Sequence, residues 1–420
     1  MDSGRRNFHA VWPSLFATST GLNAFLPVLA FYVQERFGIV DGAELAFWTS
    51  IVYGAAPLAA ALAGPLWGGL GDRVGKKPMA IRANLAIAAT TALMPFAPTP
   101  VVLLVMRAVQ GVLAGYVAPA MALVSQGTPR SEHGLVIARL QVAMAAGQAT
   151  GPLLGAAVTH WFGRDAVFWL TSVLSAGAAL RLHLSANEER PQRLVGAPPF
   201  LREFLHSSRQ LLGNRVFAWL LVLVLVLRLG QNMAEPFLAL FVRELGPEAL
   251  LESLAPTRQL ALDLTVGSVF AVLAVAQIGL TPWWGRLADR HGPLRCLAVL
   301  GVALAIVQAA SAAVGTIDQF LVARALAATL MAGSMALAYA AASKRVVDER
   351  RTLAFSMIQS CMQFAFAGGP MLGAMIAVTA GGATEYRRLF VAAAILCMTA
   401  GLGMFVLRRH RTEAHNAHGP

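Results

Sequence analysis

The sequence predicts an all-α membrane protein of twelve transmembrane helices, arranged as two pseudo-symmetric six-helix bundles. Three observations carry this. Of 420 residues, 57% are hydrophobic and only 13% are charged, against roughly 25% charged in an average soluble domain. The apolar residues come in long blocks, many above the ~18–20 residues that span a hydrocarbon core. Finally, landmarks of the first half recur in the same order in the second.

Taken in order, the blocks fall at 9–34, 45–70, 79–97, 100–123, 135–159 and 166–184, then at 216–242, 260–284, 295–314, 319–342, 352–378 and 388–407. Block length argues for helices, since a membrane strand needs only ~9–11 residues of alternating polarity. The third block is short, but its neighbours require an even count. The first follows Arg5 and Arg6 without a small-residue cleavage site, so it is read as a retained span rather than a removed leader. Between them lies a break in hydropathy, which predicts an N-terminal bundle (1–184), a cytoplasmic linker (185–215) and a C-terminal bundle (216–420). In that linker Phe200, Leu201, Phe204, Leu205, Leu211 and Leu212 recur at near-helical spacing. They fit either a segment lying on the inner membrane face or a solvated connection.

The formal net charge is +12, which raises the question of an acidic partner. Sorted by loop, most Lys and Arg fall on the side shared with the N-terminus. That asymmetry is what membrane insertion selects. Both termini are therefore expected in the cytoplasm, and nucleic-acid binding is not expected. Acids divide evenly between the two sides, which leaves Glu235 as the only one assigned to the membrane interior. The three cysteines, Cys296, Cys361 and Cys397, fall in predicted helices with no zinc spacing. No metal or cofactor is expected.

The repeat is concrete. "GPLWGGLGDRVGKK" from Gly64 matches "LTPWWGRLADRHGP" from Leu280, setting Trp67 on Trp284 and Asp72 on Asp289. The same displacement carries Arg107 onto Arg324. "GPLLGA" from Gly151 matches "GPMLGA" from Gly369, and "GLNAFLP" from Gly21 matches "GQNMAEP" from Gly230. Duplicated units of this kind place substrate at the repeat interface near the midplane.

These residues resemble those of the major facilitator superfamily. "GGLGDRVGKKP" (68–78) is similar to its signature loop, "LLVMRAVQGVLAG" (103–115) to its helix-4 motif, and "GQATGPLLGA" (147–156) to the antiporter motif of the drug:proton antiporters. The resemblance spans the chain and is closest to the twelve-span bacterial drug exporters. It implies a gating loop of Gly68, Asp72, Arg73, Gly75 and Lys76, with Asp289 and Arg290 at the repeated position, that latches the cytoplasmic side. It also implies an antiporter motif of Gly147, Gly151, Pro152 and Gly155. On physical grounds the same glycines, at four-residue spacing, form a stripe for close helix contact. For Arg107 and Gln110 it implies a cavity-side position linked to proton movement or substrate charge; the alternative is an arginine held by carbonyls.

The stretch "WLLVLVLVLRLGQNMAEPFLALFV" from Trp219 carries Arg228, Asn232 and Glu235 inside an apolar block. Polar groups at such depth turn from lipid towards protein or a wet cavity. On one continuous helix the three share a face, with Arg228 and Glu235 about 10 Å apart along the axis. An ion pair then needs both side chains extended, or a water, Asn232 or another helix between them. Many drug:proton antiporters carry an acid in helix 1. This chain has Asn23 there, and Glu35 only at the far end, which leaves Glu235 as the expected proton carrier.

The function expected is secondary active transport: proton-coupled export of amphipathic small molecules by a single chain in a bacterial inner or plasma membrane. An alternative is an exporter or facilitator of an organic anion, such as a carboxylate metabolite or siderophore, with Arg228 and Arg107 as its partners. A membrane enzyme is the remote alternative. "HWFGRD" (160–165) has an acyltransferase-like His–Asp spacing but sits in a turn, and "GDRVGKKP" lacks the order of a phosphate loop.

Overall fold

In a computed structural model the chain is helical almost throughout. The structure describes residues 3–126, 128–129, 133–188, 209–247, 252–253, 255–343, 346, 351–378 and 384–416. Most of the expected linker, including Phe200, Leu201, Phe204 and Leu205, lies outside these residues. Of its other two apolar positions, Leu211 is buried and Leu212 is exposed.

The helices of the first repeat are α1 (Ser3–Phe25), α2 (Leu29–Phe37), α3 (Gly42–Val74), α4 (Lys76–Leu93), α5 (Pro100–Leu113), α6 (Val117–Gln126), α7 (His133–Phe162) and α8 (Asp165–Ser185). Those of the second are α9 (Arg215–Asn232), α10 (Leu238–Leu245), α11 (Arg258–His291), α12 (Pro293–Ala313), α13 (Ile317–Ser343), α14 (Arg351–Ala377) and α15 (Arg387–Asn416). Among the described residues, 10 helical spans are long and apolar enough to cross a membrane, and the bent pair α1–α2 makes 11. At 30 residues, α7 also has the length. Each of the twelve expected blocks thus has its helix.

Three spans are not continuous, which the block pattern did not suggest. The first bends by 49° between α1 and α2, where Leu26, Pro27 and Val28 form a turn. The fourth divides into α5 and α6 around Ala114–Tyr116. The seventh stops at Asn232 and passes through a 3-10 turn, Glu235–Phe237, before α10 resumes. Pro27 and Pro236 stand at two of these breaks. A proline offers no N–H and pushes the residue before it out of the helical region. Pro152, Pro282 and Pro370 sit inside unbroken helices, so proline alone does not decide.

Side-chain detail repeats as well as sequence. Trp67 donates its indole N–H to the carbonyl of Val112, and Trp284 does the same to Thr329 at 2.9 Å. Gly75 and Gly292 both carry a positive φ, 113° and 85°, at matching turns. In α7, a Cβ on Gly151 would stand 2.5 Å from the carbonyl oxygen of Thr20, and one on Gly155 would strike that of Ala24. In α14, Gly369 meets the carbonyl of Leu229 and Gly373 that of Met233 in the same way. The Gly-Pro stripe is a backbone-to-backbone contact in both repeats.

By contacts the chain packs as two units. The first comprises 1–40, 51–197 and 238–275; α1 packs on α7 and α8, and α4 on α8. The second comprises 41–50, 198–237 and 276–420; α9 packs on α14 and α15, and α12 on α15.

Candidate functional site

In the second unit, Glu235 and Arg324 form a buried ion pair. One guanidinium nitrogen of Arg324, Nη2, donates to both carboxylate oxygens, at 2.9 and 3.1 Å, with each side chain under 10% exposed. This corrects the expectation that Glu235 shares a helical face with Arg228 and Asn232. Because α9 ends at Asn232, Glu235 starts a new turn and is turned towards α13 instead.

Arg228 finds neutral partners. Its Nη1 donates to Gln231 Oε1 at 2.6 Å and to Ser334 Oγ at 3.1 Å, while its Nε is buried with no hydrogen bond among the described residues. Asn232 donates to the carbonyl of Arg228 at 2.7 Å, and Asn23 donates to that of Ser19 at 2.8 Å. Both asparagines satisfy a carbonyl of their own helix next to its break.

Within the first unit, Arg107 is 4% exposed. It donates to the side chain of Gln110, to the carbonyl of Val52 at 3.2 Å and to that of Tyr53 at 3.4 Å, and lies 5.1 Å over the Phe25 ring. These neutral partners satisfy the guanidinium with dipoles rather than a counter-charge.

A second acid is buried. Asp263, 6% exposed, lies in the early turns of α11, inside the candidate span Arg258–His291. Glu235 is therefore not the only acid within the membrane helices, as the charge count had it. Asp263 falls within the expected 260–284 block, yet stands so near its edge that it was counted with the loop.

Of the loop expected to gate, Gly75 follows the last residue of α3 and caps α4. The carboxylate of Glu188 accepts from the backbone N–H of Lys76 at 2.6 Å and of Lys77 at 2.8 Å. A negative group here offsets the helix's positive end. Lys77 Nζ in turn reaches the carbonyls of His183 and Ala186, at 2.9 and 2.7 Å. Asp289 and Arg290 are exposed at the end of α11. Gly68, Asp72 and Arg73 belong to the last turns of α3, their side chains lying outside the described residues. The Glu188 clamp was not anticipated, since it joins ends far apart in sequence.

A duplicated set of broken, membrane-length helices with charged groups buried at the breaks is the build of a secondary transporter. The sequence model of the Major Facilitator Superfamily matches residues 11–257 and 247–419. The chain is 30% identical to the multidrug resistance protein MdtG of Rahnella sp. over 98% of its length and 95% of that protein's. For the protein of the same name from Citrobacter koseri the identity is 30%, covering 96% and 93%. In fold it is similar to the crystal structure of a mutant form of the nucleoside transporter NupG, with TM-score 0.79, 13% identity and coverage of 96% and 99% of the two chains. It also resembles the human organic anion transporter MFSD10, with TM-score 0.66, 15% identity and coverage of 96% and 100%. The chain belongs to the Major Facilitator Superfamily. It is a multi-pass membrane protein that works as a secondary transporter of small molecules.

Proposed function

We propose that the protein is a proton-coupled exporter of amphipathic small molecules, of the multidrug type, working by alternating access. The observation that carries this is the buried Glu235–Arg324 pair at the break in the seventh span. A carboxylate paired this way balances the charge of its partner. When it takes up a proton, –COO⁻ becomes –COOH and Arg324 loses its counter-charge. Removing one partner from a buried pair costs about 3–5 kcal/mol, enough to move an equilibrium between two conformations by some hundredfold or more. Because Glu235 sits where the helix is already interrupted, the backbone there can respond without breaking further helical hydrogen bonds. Arg228 and Asn232 in the same repeat, and Asn23, Arg107 and Gln110 in the first, are proposed to serve substrate and proton in the same cycle. The name shared by the full-length relatives supports drug efflux as the task.

We propose a bacterial inner membrane as the setting, with both termini in the cytoplasm and a single chain as the working unit; the basic residues at both ends and in the linker support the orientation. Single cysteines placed at either terminus on a cysteine-free background should stay unlabelled by an impermeant reagent in intact cells. Asp72, Arg73 and their neighbours are proposed to latch the cytoplasmic side, so Asp72→Asn is expected to slow transport at equal expression.

Export of an organic anion is the second reading, favoured by Arg107 and Arg228, whose hydrogen bonds among the described residues run to neutral groups. Proteoliposomes carrying an imposed pH gradient separate the two. Proton release on adding cationic dyes fits drug export, whereas competition by carboxylates alone would overturn it in favour of anion export.

A further inference from the structure

Asp263 has no part in the cycle just described, yet it is the more poorly satisfied of the two buried acids. Its Oδ1 accepts from Gln259 Nε2 at 3.2 Å, one turn earlier on α11. Its Oδ2 is buried and has no hydrogen bond among the described residues. Pro27, Val28, Phe31, Pro152, Ala156 and Val266 close around it, leaving a cavity of about 10 Å³. That is near the lower limit for a single water.

The charged and titratable groups facing it are Glu35 from α2, His160 from the end of α7 and Arg164 just before α8. Arg164 bonds Glu35 through its Nε at 2.7 Å and lies 4.8 Å over the Phe31 ring, while its Nη1 is buried with no hydrogen bond among the described residues. Arg243 of α10 stands over that ring too, at 5.1 Å, and donates to Gln34. A carboxylate in this pocket would keep its charge on one amide hydrogen bond, among apolar walls. A neutral acid buries no charge and loses only the bond of its own hydroxyl.

The place is as telling as the group. The pocket joins three irregular or closely packed points: the turn at Pro27 between α1 and α2, Pro152 of the Gly-Pro stripe, and the start of α11. A Cβ on Gly267, one turn beyond Asp263, would stand 3.1 Å from the carbonyl oxygen of Pro152. A Cβ added there would push the facing backbone back by a few tenths of an ångström.

We propose that Asp263 is a second proton-binding site, separate from Glu235: protonated while this seam is packed, and deprotonated when the seam opens and water reaches it. The step is simple proton exchange, in which –COO⁻ and H₃O⁺ give –COOH and H₂O. The site rests on the proton-coupled reading above, and adds that a proton binds at the far end of the spans as well as at the break in the seventh.

Spin labels at Phe162→Cys and Arg258→Cys, both exposed and on opposite sides of the seam, report its width in purified full-length protein on a cysteine-free background. The interlabel distance is expected to change from short to long as pH rises. Asp263→Asn, which imitates the neutral acid, should hold the short distance throughout. Should that variant fail to fold, Gln259→Leu keeps the acid and should displace the midpoint of the transition. A distance in the parent that ignores pH, or transitions unchanged in the variants, overturns the site. Transport by wild-type proteoliposomes under a pH gradient is read separately, and its absence would sink proton coupling as such.

Discussion

Arg107 and Arg324 occupy the same place in the two repeats and live in different electrostatic worlds. Arg107 is held by an amide and two carbonyls, Arg324 by a carboxylate. Two substitutions account for the difference. Leu26 stands where the second repeat has Glu235, and Gln110 stands where it has Ala327. Around these positions the scaffold has hardly changed: tryptophan to carbonyl, glycine to carbonyl, and a positive-φ glycine at the turn all recur. Contacts that set helix separation have been kept twice over, while the buried charge has been free to diverge. This argues that the glycine stripe is first a packing device, whatever direction of transport it accompanies.

The sharpest way to break this comparison is to remove the charge from one side. Glu235→Gln should abolish accumulation driven by a pH gradient while substrate binding persists, because the amide keeps the shape but cannot exchange a proton. Leu26→Gln, at the matching break, should keep driven transport above half of its original rate. If Glu235→Gln still concentrates substrate in proteoliposomes, the pair is structural and the asymmetry carries no function.

The packing half of the comparison predicts equal damage. Gly155→Leu and Gly373→Leu each force a side chain into a facing backbone carbonyl, of Ala24 and Met233, and each should cost more than the ~1–3 kcal/mol typical of overpacking. Yield of monodisperse protein after detergent extraction should collapse in both. Milder changes resolve the repeats: Gly151→Ala, with 2.5 Å to the nearest backbone atom, should lower the melting temperature more than Gly369→Ala, with 3.1 Å.

Smaller again is the loss of a single hydrogen bond. Trp67→Phe and Trp284→Phe should each destabilise by about 1 kcal/mol, seen as matched shifts in thermal unfolding. The smallest effect belongs to Glu188→Gln, which removes charge from the cap of α4 while keeping an acceptor, and should cost ~0.3–1 kcal/mol. A clear loss of transport there would mean that the clamp does more than hold a helix end.

Much of this was readable from residues in order. Block length set the spans, and matched landmarks such as Trp67 and Trp284 revealed the duplication. What escaped was whatever depends on one residue's geometry. Averaging hydropathy over a block hides the turn at Leu26–Val28 and the stop at Asn232, although "FLP" and "AEP" mark both. Treating the seventh span as one helix aimed Glu235 at Arg228, when a break of five residues, 233–237, turns it towards α13. The partner, Arg324, was visible only as the mate of Arg107. Asp263 lay inside the 260–284 block but so near its start that it was counted with the loop charges.

The Glu235–Arg324 pair also bears on how the cell's electrical energy is used. As a closed pair it carries no net charge, so the field across the membrane exerts almost no net pull on it. Once Glu235 takes a proton, the same spot carries the full charge of Arg324. A voltage acts on such a charge with about 2.3 kcal/mol per 100 mV if it crosses the whole field. Arg107, with neutral partners, feels that field at all times. Membrane voltage would thus press on Arg107 continuously and on Arg324 only after Glu235 binds a proton, making chemical occupancy the switch that admits electrical work at this pair.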